Sequence, residues 1–247
     1  MLCARLEGGE AVPLAQHEGR VYHLALTGDG RVVTGGEDGR VLCACLEGGE
    51  PVPVAQHEGG VFELALTGDG RVVSGGMDGC VLCTRLEGAE PVPLAQHGAG
   101  VYRLALTGDG RVVTGGSDGR VLCAPLEGGE AVLLVHHEAG VYRLALTGDG
   151  RVVTGGRDGR VLCARLEGGA AVPLAQHEGA VSSLMLTGEG RVITSGAAAV
   201  FVTQLEPGHT QRVFLSDLSL IPIAYDSADS LIVGGDAAGN LHILPIG

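Results

Sequence analysis

At 247 residues, with 44 Gly, 45% hydrophobic and only 3% aromatic residues, the chain can bury a substantial core as one all-β domain. Its net charge of −13, with every one of the 16 basic residues Arg, lacks the basic footprint of phosphate-backbone contacts and the polybasic stretch of an anionic-membrane binder, so the reading expects no nucleic acid and no membrane. Without a run of 18 apolar residues or a leader-like start, a soluble cytoplasmic protein is expected, and the Arg-only, Gly/Ala/Val-rich usage fits a high-GC bacterial genome.

In chain order, the sequence starts inside a repeat: Met1 to Glu7 matches the third strand of later copies, and Ala11 to Gln16 the fourth. From His17 the 40-residue repeat HEGRVYHLALTGDGRVVTGGEDGRVLCACLEGGEPVPVAQ recurs at His57, His97 and His137, and only eight positions separate the copies at His17 and His137. Within it Val21 to Leu26 reads as a first strand, followed by a tight turn, Thr27-Gly28-Asp29-Gly30, whose glycines accept positive φ. Arg31 to Thr34 reads as a second strand, Glu37-Asp38-Gly39 as a turn, Val41 to Leu46 as a third strand and Pro51 to Gln56 as a fourth. Pro13, Pro53, Pro93 and Pro173 place that fourth strand on a sheet edge, because proline donates no ladder hydrogen bond. The copy from His177 decays, and LIPIAYDSADSLIVGGDAAGNLHILPIG keeps only the order strand, turn, strand, turn, strand.

Four antiparallel strands cannot bury both faces of their sheet alone, whereas radially stacked copies can. The predicted fold is therefore an all-β, six-bladed β-propeller of four-stranded antiparallel blades, its ring closed by the N-terminal strand. It is expected to be a single domain over 1–247, with repeats 17–56, 57–96, 97–136, 137–176 and 177–215, and a closing blade from 216–247 plus 1–16. One third strand is surplus in that closing blade, either Met1 to Glu7 or Leu241 to Ile246. Five of the seven Cys (Cys3, Cys43, Cys83, Cys123, Cys163) recur at one repeat position, which reads as a small buried hydrophobe in a reducing compartment.

A His before the first strand, a small hydroxyl residue in the second and an Asp-Gly turn before the third resemble the WD-repeat family. The matching sets are His17, Thr34 and Asp38; His57, Ser74 and Asp78; His97, Thr114 and Asp118; and His137, Thr154 and Asp158. The resemblance implies a hydrogen-bonded network inside each blade. The family's Trp-Asp pair is absent: Ala44-Cys45 takes its place, and the chain has no Trp. The fifth copy keeps His177 and Thr194 but has Ala197-Ala198 in place of the Asp turn. LALTGDGRVVTGG also resembles the chromosome-condensation-regulator type of propeller, whose repeats are longer.

Ser/Thr, His and Asp together suggest a nucleophile, base and orienting acid, but a triad is needed once and this set recurs in four repeats. The five equivalent His residues lie one per blade, too far apart to share an ion, and Cys80-Gly-Val-Cys83 has no second pair. The reading expects no cofactor and no catalytic residue.

Function is sought where the copies disagree. The variable positions are Arg20, Gly60, Gly100 and Gly140; His23, Glu63, Arg103 and Arg143; Glu37, Met77, Ser117 and Arg157; and Cys45, Arg85, Pro125 and Arg165. The first and third groups flank one face. Beside them Tyr22, Phe62, Tyr102 and Tyr142 share one repeat position, with Ser182 in the fifth copy. Two readings stay open for these rings: inner-strand core, or a partial aromatic collar at the mouth of a central channel. The expected function is a monomeric protein- or peptide-binding scaffold using Arg20, Tyr22, His23, Glu37, Phe62, Glu63, Met77, Tyr102, Arg103, Ser117, Tyr142, Arg143 and Arg157. The alternative is a small-molecule- or sugar-acting enzyme with a site at the central channel.

Overall fold

The structure is a computed structural model that describes residues 2–3, 11–197, 199–205, 210–215, 220–226, 231–236, 238 and 240–245. Every regular element among them is a β-strand. β1 (Leu2–Cys3) and β2 (Val12–Pro13) pair antiparallel ahead of the first full repeat. The first repeat supplies β3 (Val21–Leu26), β4 (Arg31–Gly36), β5 (Arg40–Cys45) and β6 (Val52–Gln56), and the second β7 (Val61–Leu66), β8 (Arg71–Gly76), β9 (Cys80–Arg85) and β10 (Val92–Gln96). The third supplies β11 (Val101–Leu106), β12 (Arg111–Gly116), β13 (Arg120–Pro125) and β14 (Val132–His136), and the fourth β15 (Val141–Leu146), β16 (Arg151–Gly156), β17 (Arg160–Arg165) and β18 (Val172–Gln176). The fifth supplies β19 (Ser183–Leu186), β20 (Arg191–Gly196), β21 (Ala199–Gln204) and β22 (Thr210–Leu215), and the sixth β23 (Leu220–Asp226), β24 (Leu231–Asp236) and β25 (Leu241–Pro245).

The chain divides into two compact units, Met1–Gly116 with Ala124–Ala131 and Ser117–Cys123 with Val132–Gly247, so the division falls inside the third repeat. In the first unit the sheets run β3-β4-β5-β6 and β7-β8-β9-β10, and β11 pairs with β12. In the second, β13 pairs with β14, and the sheets run β15-β16-β17-β18, β19-β20-β21-β22 and β23-β24-β25. Repeated four-stranded antiparallel sheets, with the proline-bearing strands β6, β10 and β18 at a sheet edge, are as the sequence predicts.

The second strand is two residues longer than the Arg31 to Thr34 read from the sequence and takes in Gly35-Gly36. There is no room for a side chain at either glycine: the next repeat leans on Gly35, and the histidine of their own repeat leans on Gly36. A Cβ on Gly35 would sit 2.6 Å from Cγ1 of Val61, and one on Gly36 would sit 2.2 Å from Nδ1 of His17. The predicted turn needs correction too. Only its second glycine takes positive φ, 82° at Gly30, while Gly28 does not. Thr27 does the remaining work: its hydroxyl binds the Asp29 carboxylate and accepts the Arg31 N–H at 2.9 Å. The Arg31 guanidinium closes on Asp29 at 2.7 Å and lowers its carboxyl to about 2.

The core forms between successive repeats. Val33, Val41, Cys43, Val54 and Ala55 of the first pack with Val61, Leu64, Val72 and Leu86 of the second. Val153, Val161 and Cys163 of the fourth pack in the same way with Val181 and Val192 of the fifth. Cys43, Cys83, Cys123 and Cys163 are all buried and in no disulfide, as the repeat position implies; the Cys3 side chain lies outside the described residues. Each buried Val or Leu stabilises by about 1.5–3 kcal/mol. One sheet is open where its siblings are closed: Val21, Leu24 and Leu26 of β3 are 38%, 53% and 63% exposed, against 0% and 4% for Val61 and Leu64.

Candidate partner-binding face

Below the face lies the network that fixes it. Nδ1–H of His17 donates to Asp38 at 2.8 Å, and Nε2 of His17 lies 2.9 Å from the Thr34 hydroxyl. His57 meets Asp78 at 3.2 Å and Ser74 at 2.8 Å, and His137 meets Asp158 at 3.1 Å and Thr154 at 2.9 Å. His97 and His177 bind Thr114 and Thr194 at 2.9 and 3.0 Å. The carboxylate holds the ring proton on Nδ1, which leaves Nε2 to accept from the hydroxyl. Asp38 also accepts the backbone N–H groups of Glu18 and Arg40 and the Arg40 side chain, tying the loop before the first strand to the turn before the third.

Burial opposes ionisation of Asp38, but the hydrogen bonds from His17, Glu18 and Arg40 outweigh it and hold the carboxyl well below its ordinary value. Asp78 and Asp158 are lowered the same way, with backbone N–H groups ahead of the histidine among the favourable causes. Burial pushes His137 down, against the pull of Asp158. The distances resemble those of a nucleophile, base and acid. Thr34, Ser74 and Thr154 are nevertheless at most 1% exposed, so no substrate reaches these hydroxyls and the set works as a structural clamp. Cys83 is buried while Cys80 points its thiol at Gln96, 3.1 Å away, so this CxxC is not poised as a pair.

The clamp sets the face. In the first repeat the Arg20 carbonyl accepts the Glu37 N–H at 2.7 Å, and the Glu37 carboxylate accepts the Arg20 N–H at 3.1 Å. Gly60 and Met77, and Gly140 and Arg157, make the same backbone bond at 2.8 Å. The first and third variable groups thus sit side by side, as the sequence implied. Where a repeat precedes, the first group is crowded and small: a Cβ on Gly60 would meet Tyr22 at 3.1 Å and Glu37 at 3.3 Å, one on Gly140 would meet Ser117 at 3.2 Å, and the fifth repeat carries Ala180 there. Arg20, Glu37, Met77 and Arg157 are exposed and Ser117 is half-buried. Cys45, Arg85 and Arg165 lie at the other end of their strands, paired with Arg31, Arg71 and Arg151.

The aromatic position is the extra residue of a β-bulge. Val21 pairs with Gly36 and His23 with Gly35, skipping Tyr22; the same shift skips Phe62, Tyr102 and Tyr142. A bulge lifts a residue out of the ladder and re-aims its side chain. The rings are accordingly neither core nor fully free: Tyr22 is 38% exposed and Phe62, Tyr102 and Tyr142 are half-buried. Within the first compact unit they touch in a row, Tyr22 to Phe62 at 4.9 Å and Phe62 to Tyr102 at 5.7 Å, the second pair edge-on. In the fifth repeat Ser182 stands there, bonded to Ser195.

A second row lies beside it. Glu63 takes His23 at 3.1 Å on one oxygen and Arg103 at 3.2 Å on the other, linking three repeats. In the second compact unit the Arg143 guanidinium donates to the Tyr142 carbonyl at 2.8 Å. The sequence reading held these residues as variable but not as bonded; the change of sign at one repeat position, His then Glu then Arg, was the available signal. It also missed Asp236, which accepts from the Asn240 backbone and from His242 at 2.7 Å and so braces the sixth repeat's turn without the family's histidine.

Sheets, clamp and proline edge resemble those of WD-repeat β-propellers. Two stretches, residues 11–43 and 130–163, match the family model described as WD domain, G-beta repeat. Among solved structures it is similar to the computationally designed Ika8 protein (TM-score 0.81, 24% identity, covering 96% of this chain and 75% of that one). It is also similar to a chain of the mitotic checkpoint complex (0.74, 17%, 98% and 80%) and to the WD40 β-propeller domain of Doa1 (0.65, 20%, 94% and 80%). At these identities the likeness is one of fold. No curated protein sequence matches the chain.

Proposed function

We propose that the chain is a protein- or peptide-binding scaffold without catalytic activity of its own, working as a cytoplasmic six-bladed propeller whose ring is closed by the N-terminal strand. Closure is supported by β3, whose apolar face is exposed although the same face is buried against a preceding blade at Val61 and Leu64. The partner-binding side chains are those of the clamped face: Arg20, Glu37, Met77, Ser117 and Arg157 at its loops, Tyr22, Phe62, Tyr102 and Tyr142 on the bulges, and His23, Glu63, Arg103 and Arg143 beside them.

The aromatic bulge carries the reading. A sheet has no structural need for an extra, partly exposed ring in four copies, whereas large rigid rings with Arg neighbours suit the centre of a binding patch. Panning a displayed library of extended peptides against wild type and against the Tyr22→Ala, Tyr102→Ala double variant tests it. Peptides selected by wild type are expected to lose at least tenfold in affinity for the variant, with thermal stability and circular dichroism kept. Equal binding, or a variant that does not fold, overturns the reading.

A further inference from the structure

The outer strands are not alike. β6, β10 and β18 read VPVAQ, VPLAQ and VPLAQ, whereas β14 reads VLLVH. Pro53, Pro93 and Pro173 pair with Leu42, Leu82 and Leu162, and Leu133 pairs with Leu122 in the same register. The ladder survives proline at this position, so the backbone nitrogen there faces away from the third strand. In β14 the nitrogen keeps its hydrogen. N–H and C=O of one strand residue face the same side, so Leu133 presents a donor and an acceptor together on the open edge. Val132 and Leu133 are 51% and 50% exposed, and residues 131–137 hold no Asp, Glu or Arg. The Gln that clamps two carbonyls at the end of its sibling strands is His136 here.

We propose that β14 is the edge through which two copies of this chain pair antiparallel, centred on Leu133. On that centre the Leu133 N–H of each copy donates to the Leu133 carbonyl of the other, and Val132 lies across from Leu134 of the second copy. The run from Ala131 to Val135 is apolar throughout, so it meets itself with no charge opposed, and a twofold contact of this kind uses up both edges and stops at two. A second copy is the fitting occupant because this uncharged apolar run opposes only its own apolar residues when paired antiparallel about Leu133, and β14 keeps the donor that proline removes at that position in β6, β10 and β18. Five residues make a small interface, so the pair is weak and in exchange with monomer. This departs from the monomeric scaffold expected from the sequence, and it is independent of the proposed partner-binding face.

Sedimentation velocity of the full chain over a concentration series tests it. Wild type is expected to move toward twice the monomer mass as concentration rises, and more readily at high salt, because two chains of charge −13 repel. Leu133→Pro installs the residue its siblings carry and is expected to fold with unchanged circular dichroism yet remain monomeric. Pro173→Leu opens a second edge and is expected to assemble beyond dimers. A wild-type monomer at every concentration, or equal dimerisation of Leu133→Pro, overturns the proposal; the first result would leave the edge to a strand of another protein.

Discussion

A buried histidine bonded at both nitrogens is a commitment about protons. His137 is held below its ordinary value by burial, and Asp158 is held below its own by the hydrogen bonds it accepts. In both cases the unfolded chain binds more protons between the two values, so stability is present at neutral pH and is lost as pH falls. The histidine contribution starts to go below about 6.5 and that of Asp38, Asp78 and Asp158 below about 4. Thermal melts from pH 8 to 3 should show both declines, and Asp158→Asn should melt lower at pH 7 with a shallower acid limb. A melting temperature flat to pH 4 would contradict the network as drawn. This network was legible through the resemblance to the WD-repeat family, whose His, hydroxyl and Asp positions recur here in four copies. The bracing of Asp236 by His242 was not, since it occurs once and its partner lies on a different strand position.

At the level of strands, Val21 to Leu26 is placed as the sequence predicts, the third and fourth strands fall within one residue of their predicted ends, at Arg40–Cys45 and Val52–Gln56, and the second was cut short. Glycine signals a turn when only local preference is considered, but Gly75, like Gly35, is held in a strand by the valine of the next repeat, Cγ1 of Val101 lying 2.7 Å from where a Cβ would be. Tertiary packing, invisible in a single copy, overrode local propensity. Gly75→Ala is therefore expected to cost about 1–3 kcal/mol by overpacking, although alanine ordinarily suits a strand better than glycine. Chemical denaturation reads the difference, and a second substitution, Val101→Ala, should recover part of it. Gly68→Ala, where nothing lies within 4 Å, serves as the neutral comparison. The bulge was equally hidden. Alternation along VYHLAL gives no sign that Tyr22 is skipped, because bulges are defined by the partner strand.

For the molecule as a whole, repetition made the architecture readable: a sheet that buries only part of itself needs neighbours, and copies of itself are the neighbours it has. Ring closure is tested at Leu24. If a blade covers β3, Leu24→Ala should destabilise by about 2–5 kcal/mol, as Leu64→Ala does; in an open array it should stay within about 0.5 kcal/mol. Equal and large losses are the expected result. The face proposed for partner binding was only half legible in the sequence. Variation between copies pointed to the positions, but the bonds of Glu63 to His23 and Arg103 join residues of three repeats and carry no local signature.

The bulge has a further consequence for how such a chain diverges. A residue outside the ladder can be exchanged without disturbing strand register, so a duplicated blade inherits a working scaffold together with one position already released from it. Tyr, Phe and Ser at that position in successive copies are what such release permits. A new specificity can then be reached by single substitutions, with no intermediate that must first lose its fold.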